Sequence, residues 1–163
     1  VKENKLLQHV NSMASSINCL LENNHPLQAA MLTYAAIDHM AWLKDCHFKE
    51  WAHDYIIEEG FQICTAGELW AARNGLLHMG TAESRDFDNG NVEHKIFYTA
   101  GSARNTRNKA DDVVFLSVPV LAGFYINGAT KFIEELKQDS EMMSTALEKV
   151  KRVLKQHDMK VLF

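Results

Sequence analysis

Between Pro26 and Lys44 the chain is apolar on almost every side of a helix, and no other segment constrains the fold as much. Leu27, Ala30, Met31, Leu32, Tyr34, Ala35, Ile37, Met40 and Trp42 spread round the helical wheel instead of following one stripe. A helix of that kind has to be covered by neighbours, so it belongs at the centre of a bundle. Asn23, Asn24 and His25 break the chain before it, and Pro26 suits the first helical position. Asp38 and His39 interrupt the segment well short of membrane-spanning length, which predicts no membrane association. A carboxylate on such a helix either finds a cation, Arg73 being one candidate, or points to solvent.

The other segments supply the cover. Lys2 to Glu22 repeats Leu6, Leu7, Val10, Met13, Ile17, Leu20 and Leu21 at intervals of three and four, the mark of an amphipathic helix. Phe48 to Glu59 predicts a shorter helix ended by Gly60. Thr65 followed by Glu68 is a capping box that starts a helix of about four turns, with Gly80 as its left-handed stop. Within it Gly67, Ala71 and Gly75 line one face without bulk, which invites the close approach of another backbone. Residues Thr81 to Gly90 turn polar and acidic, with a turn at Asp88-Asn89-Gly90.

Lys95 to Thr99 and Val113 to Val118 are β-type runs separated by GSARNTRNKADD, read as a hairpin over about 93–118. Pro119 then opens a helix carrying Leu121, Phe124, Phe132 and Leu136, with Gly123 and Gly128 against it. Ser140 starts a last helix, basic from Lys149 onward, so that helices occupy about 119–158. Residues 1–163 therefore read as one mainly α domain with a small β-hairpin insertion, long enough to bury about two-thirds of its unfolded surface.

Charge and cysteines narrow the class. A net charge of −4 argues against coating nucleic acid by bulk electrostatics. Cys19, Cys46 and Cys64 are odd in number and lack metal-type spacing, which predicts reduced thiols and a cytoplasmic location. The residues from Val1, a start that suggests a trimmed or partial chain, show no signal-peptide pattern. No HExxH and no Cys/His pairing at zinc spacing is present, so neither a metal nor a cofactor is expected.

The helix opened by Thr65 carries Arg73, Asn74 and His78 at its far end, on a body otherwise built from apolar and small residues. That combination suits phosphoryl chemistry without metal. RNA cut through its own 2′-hydroxyl needs a proton acceptor, a proton donor for the departing 5′-oxygen and positive charge on the phosphate. Histidine exchanges protons near neutral pH, and a guanidinium can clamp two phosphate oxygens. Asn74 and His78 stand four apart on one stripe, within reach of a hydrogen bond. The spacing alone is weak evidence, since five arginines and eight histidines yield roughly one Arg-x4–6-His match by accident. Arg152 and His157 form such a second match on a lysine-rich segment, where a solvated face explains them.

The context of the first match carries more. LWAARNGLLHMG, with AAIDHMAWL and FKEWAHDY upstream and Glu83-Ser84 after it, resembles the HEPN superfamily of helical bundles, whose mark is Arg-polar-x3–5-His. The resemblance covers about Leu27 to Tyr98. It implies an up-and-down bundle that forms a homodimer, with two motifs facing across one composite cleft. It also implies a metal-independent endoribonuclease of the toxin–antitoxin or antiviral kind, leaving 2′,3′-cyclic phosphate ends, with RNA as substrate and an antitoxin or other regulatory protein as a possible partner. Carried over by residue, Arg73 stabilises the phosphate, His78 handles protons, and Asn74 orients His78 or the RNA. Asp38 and Ser84 are added to the substrate site by their nearness in the pattern.

Arg104, Arg107 and Lys109, interleaved with Asn105, Thr106 and Asn108, either follow a phosphate backbone or are simply solvated. Trp42, Trp51 and Trp70 occupy core-type helical positions and read as packing. Two further readings remain open. One is a non-catalytic HEPN-like dimer that binds nucleotide, RNA or a protein partner through the same cleft. The other is an assembly domain in which Arg73 and His78 are structural, the histidine favoured at a helix C-terminus by the dipole.

Overall fold

The computed structural model describes residues 2–101, 106–108 and 112–153. Helix α1 spans Lys2–Glu22 and α2 spans Pro26–Lys44, with Pro26 in its first turn and Asp45 closing it in the left-handed region. Helix α3, Phe48–Ala52, runs into a π turn at His53–Ile57. Helix α4 is Ala66–Met79, α5 Arg85–Asp88, α6 Val118–Gln138 and α7 Ser140–Val150. Strands β1, β2 and β3 are Lys95–Thr99, Thr106–Asn108 and Val113–Ser117. The protein is a mainly α bundle with a small β insertion, and α2 is its axis, touching α1, α3, α4, α6 and α7. Ala29, Ala30, Tyr34, Ala36, Ile37 and Met40 on α2 are completely buried, as an all-round apolar helix requires.

The insertion is not the hairpin that its two apolar runs suggest. β1 and β3 pair in parallel, Ile96 opposite Val114 and Phe97 opposite Phe115, and the short β2 lies antiparallel on the far side of β3. The connection returns to the start of β1, where the Lys95 amide donates to the Asp112 carbonyl at 2.8 Å. A return of about a dozen residues is what a parallel pair needs. Ile96, Val114 and Leu116 turn inward and are buried, while Phe97 and Phe115 stand exposed on the outer face, ring centres 6.0 Å apart.

Gly128 explains its own place inside α6. A methyl group there would run into the Tyr55 carbonyl oxygen and lie 3.0 Å from the Tyr55 Cβ, so its absence lets α6 settle on the π turn. Tyr55 then stacks on Trp51 at 4.9 Å, meets Phe132 edge-on at 5.6 Å, and donates its hydroxyl hydrogen to Glu135. Helix α7 begins at Ser140 as expected, but its cap is Asp139, whose carboxylate accepts from the amides of Glu141 and Met142. His157 lies outside the described residues. Among the described residues no helix is long and apolar enough to cross a membrane.

His9 of α1 and His39 of α2 meet at 3.3 Å, Nε2 to Nδ1. Burial holds both imidazoles below the usual histidine range; the charge of His39 lowers His9 further, and Asp38 partly offsets the effect on His39. In the unfolded chain both take up protons near pH ~6.5, and the folded chain resists until lower pH. The unfolded state therefore binds more protons across that window, and the contribution present above it is lost as pH falls toward the depressed folded values. The melting temperature is expected to drop between pH ~7.5 and ~5.5, and the drop to be shallower in the variant carrying His9→Gln and His39→Gln. An equally steep fall in that variant contradicts this assignment.

Candidate functional site

The site grows from the two ends of α4. At its start the capping box is complete: the Glu68 amide donates to the Thr65 hydroxyl at 3.1 Å, and the Thr65 amide to the Glu68 carboxylate at 2.7 Å. Glu68 is buried, and its other oxygen lies 2.6 Å from Nδ1 of His94, which anchors the residue before β1 to the helix. At the far end Gly80 takes φ +67° and closes the last turn through its amide. The chain then doubles back over Gly75, where a methyl group would run into the Glu83 carbonyl oxygen and lie 2.8 Å from that of Thr81. The stripe of small residues on α4 thus serves this chain's own return, at Gly75. Gly67 is less crowded, its nearest neighbours being 3.7 Å from where a methyl group would sit.

That return brings α5 beside the motif. The Ser84 hydroxyl accepts from the Phe87 amide at 3.2 Å and caps the helix. Ser84 is itself buried.

Arg73 is the hub of the polar group. Its Nε and Nη2 both donate to Oδ2 of Asp38, at 2.9 and 2.7 Å, so of the two alternatives for the carboxylate of α2, a cation or solvent, the structure shows the cation. Nη1 donates to Oδ1 of Asn74 at 2.9 Å and stands 3.2 Å from Nε2 of His78. The amide of Asn74 therefore meets the guanidinium and not the imidazole, which corrects the expectation of a direct Asn74–His78 bond. Trp70 supports the group from one side, with the Arg73 guanidinium carbon 5.1 Å from its ring centre. Trp70 also packs on Phe48 at 5.4 Å, so it is a packing residue with a second task.

The contact between Arg73 and His78 selects the tautomer of the neutral imidazole. A guanidinium only donates, so Nε2 of His78 accepts and the ring proton sits on Nδ1. In the neutral ring the Nε2 lone pair thus faces a cation, on an exposed side chain. Asn74, His78 and Ser84, with Met79, Arg85 and Asp86, line a cavity of about 430 Å³. A proton acceptor on the cavity wall with a cation 3.2 Å from it can accept a hydroxyl proton while the cation holds an anion.

The sequence-derived residues thus divide. Arg73, Asn74, His78 and Asp38 form one hydrogen-bonded cluster, and Ser84 joins it through the cavity wall. Arg107 lies in β2, its backbone opposite Val114, while Arg104 and Lys109 lie outside the described residues. Arg85 and Asp86 were not singled out by the sequence. The signal that could have found them is Ser84 as a helix cap immediately before them. Among the described residues no group of three or more His, Cys, Asp or Glu side chains is arranged to hold a metal ion.

Asp38→Ala is expected to leave Arg73 without its carboxylate. With side-chain exposures of 19% for Arg73 and 28% for Asp38, the pair is neither fully wet nor fully dry. The loss should fall between the surface and buried limits, about 1–3 kcal/mol, read from the urea unfolding midpoint. An unchanged midpoint contradicts a structural role for the pair. Comparison of the chain with protein-family models, with curated proteins and with solved structures finds no match.

Proposed function

We propose that this protein is a metal-independent endoribonuclease, a HEPN-type domain acting as a homodimer on RNA in the cytoplasm, in a toxin–antitoxin or defence setting. The observation that carries the reading is the 3.2 Å contact between Arg73 Nη1 and His78 Nε2. In the reaction, Nε2 of His78 takes the proton of the 2′-hydroxyl. The 2′-oxygen attacks the adjacent phosphorus, and Arg73 Nη1 turns from the imidazole to the phosphate oxygen that gains charge. The bond to the 5′-oxygen breaks as that oxygen takes a proton from the imidazolium of a second copy's motif. The products are a 2′,3′-cyclic phosphate and a 5′-hydroxyl. Asp38 and Asn74 hold Arg73 in place, and no step as written needs a metal. Met79, 57% exposed beside His78, offers apolar surface for the second copy to cover.

A second reading has its own observation. Every nitrogen of the Arg73 guanidinium already has a partner within the protomer, which suits a HEPN-like dimer that binds nucleotide, RNA or a regulatory protein without turnover. The two part on one experiment. The purified chain is incubated in EDTA with an RNA strand and the matching DNA strand. The ribonuclease reading expects cut RNA and intact DNA, whereas RNA that is bound and stays intact favours the second.

A further inference from the structure

The motif's own guanidinium is already committed. Nε and Nη2 of Arg73 meet Asp38, and Nη1 is shared by Asn74 and His78. With its carboxylate at 2.7 Å, Asp38 offsets part of the charge that Arg73 Nη1 brings to an incoming phosphodiester. Cleavage of RNA concentrates negative charge on the phosphate, so a further cation near His78 adds to what Arg73 supplies.

Arg85 is such a cation. It is exposed, and among the described residues it forms no ion pair with a carboxylate. It lines the same cavity as Asn74 and His78. Its position is also built in: Gly75 admits the returning chain, and the buried Ser84 holds the turn from which Arg85 projects. A guanidinium can give a phosphate two parallel N–H bonds.

We propose that Arg85 is a second phosphate-holding residue of this site beside Arg73, binding the phosphodiester of a single-stranded RNA nucleotide that enters the cavity beside His78. The inference rests on the ribonuclease reading above. Asp86 on the same wall distinguishes a nucleotide from a bare anion: a carboxylate repels free phosphate but accepts from the N–H groups of a base. One of its oxygens already accepts from Asn91 Nδ2 at 3.3 Å, which fixes its orientation. A volume of about 430 Å³ lies within the range of small-molecule sites, and a base reaches such a pocket only when it is unstacked.

The test uses the full chain with His78→Ala, so that RNA survives, with and without Arg85→Gln, and a short fluorescent single-stranded RNA titrated at several salt concentrations. Arg85→Gln is expected to weaken binding about tenfold and to lower the slope of log affinity against log salt by about 0.7, the value of one phosphate contact. Arg85→Lys is expected to restore the slope and only part of the affinity. Because Arg85 is exposed, the melting temperatures should agree, so a loss of binding is not a loss of fold. Affinity and slope equal to the parent's overturn the role of Arg85 and leave the ribonuclease reading standing if the wild type cleaves. No RNA binding by the parent together with no cleavage by the wild type overturns both.

Discussion

His78→Ala is expected to lower the rate of RNA cleavage in EDTA by about 10²–10⁴-fold, the usual worth of a positioned acid–base group. The same substitution should leave stability nearly untouched. His78 is exposed on the last turn of α4, and among the described residues its side chain hydrogen-bonds to Arg73, which keeps Asp38 and Asn74. Its removal should change stability by no more than about 0.5 kcal/mol. Initial rates and melting curves on the same preparation separate the two effects. A variant that cuts RNA at the wild-type rate contradicts the assignment of Nε2 as proton acceptor, and a variant that melts early makes His78 a structural residue.

The largest effect on stability is expected at Gly75. A methyl group there meets backbone carbonyl oxygens of Thr81 and Glu83, which cannot rotate away as a side-chain tip could. Gly75→Ala should therefore cost about 3 kcal/mol, at the upper end of overpacking, and displace the turn that carries Ser84 and Arg85. Gly67→Ala is the control on the same helix. Its nearest neighbours stand at 3.7 Å, so the new methyl fits, and the gain in helix propensity should stabilise by about 0.5 kcal/mol. Urea unfolding of both variants reads the contrast directly. Equal midpoints would remove the close approach at Gly75 from the account of how the site is held.

Much of this architecture is written in local chemistry. The span of α1, the opening of α2 at Pro26, and the start and stop of α4 follow from apolar spacing, a fixed proline φ and cap residues, all of which act within a few neighbours along the chain. The pairing of Asp38 with Arg73 was half legible: a carboxylate on a central helix either finds a cation or points to solvent, and the sequence offered Arg73 as one candidate without deciding between them. What local chemistry does not encode is direction and return. An apolar run such as Lys95 to Thr99 announces a strand but not whether its partner runs with it, and the polar Thr106-Arg107-Asn108 gives no strand signal because its pairing is set by β3. Helix α5 is one turn long, too short for periodicity to reveal, and Arg85 enters the site only because the chain folds back over Gly75. The partner of Asn74 depends on where Arg73 is drawn by Asp38, a contact between helices 35 residues apart in the chain.

The most direct test of the central claim is the chemical identity of the RNA ends left by the purified protein in EDTA, read by mass. Attack by the 2′-oxygen, assisted by His78 and Arg73, predicts 2′,3′-cyclic phosphate on one fragment and a 5′-hydroxyl on the other. Fragments ending in 5′-phosphate and 3′-hydroxyl would contradict the account, because they require water and not the neighbouring hydroxyl to attack the phosphorus.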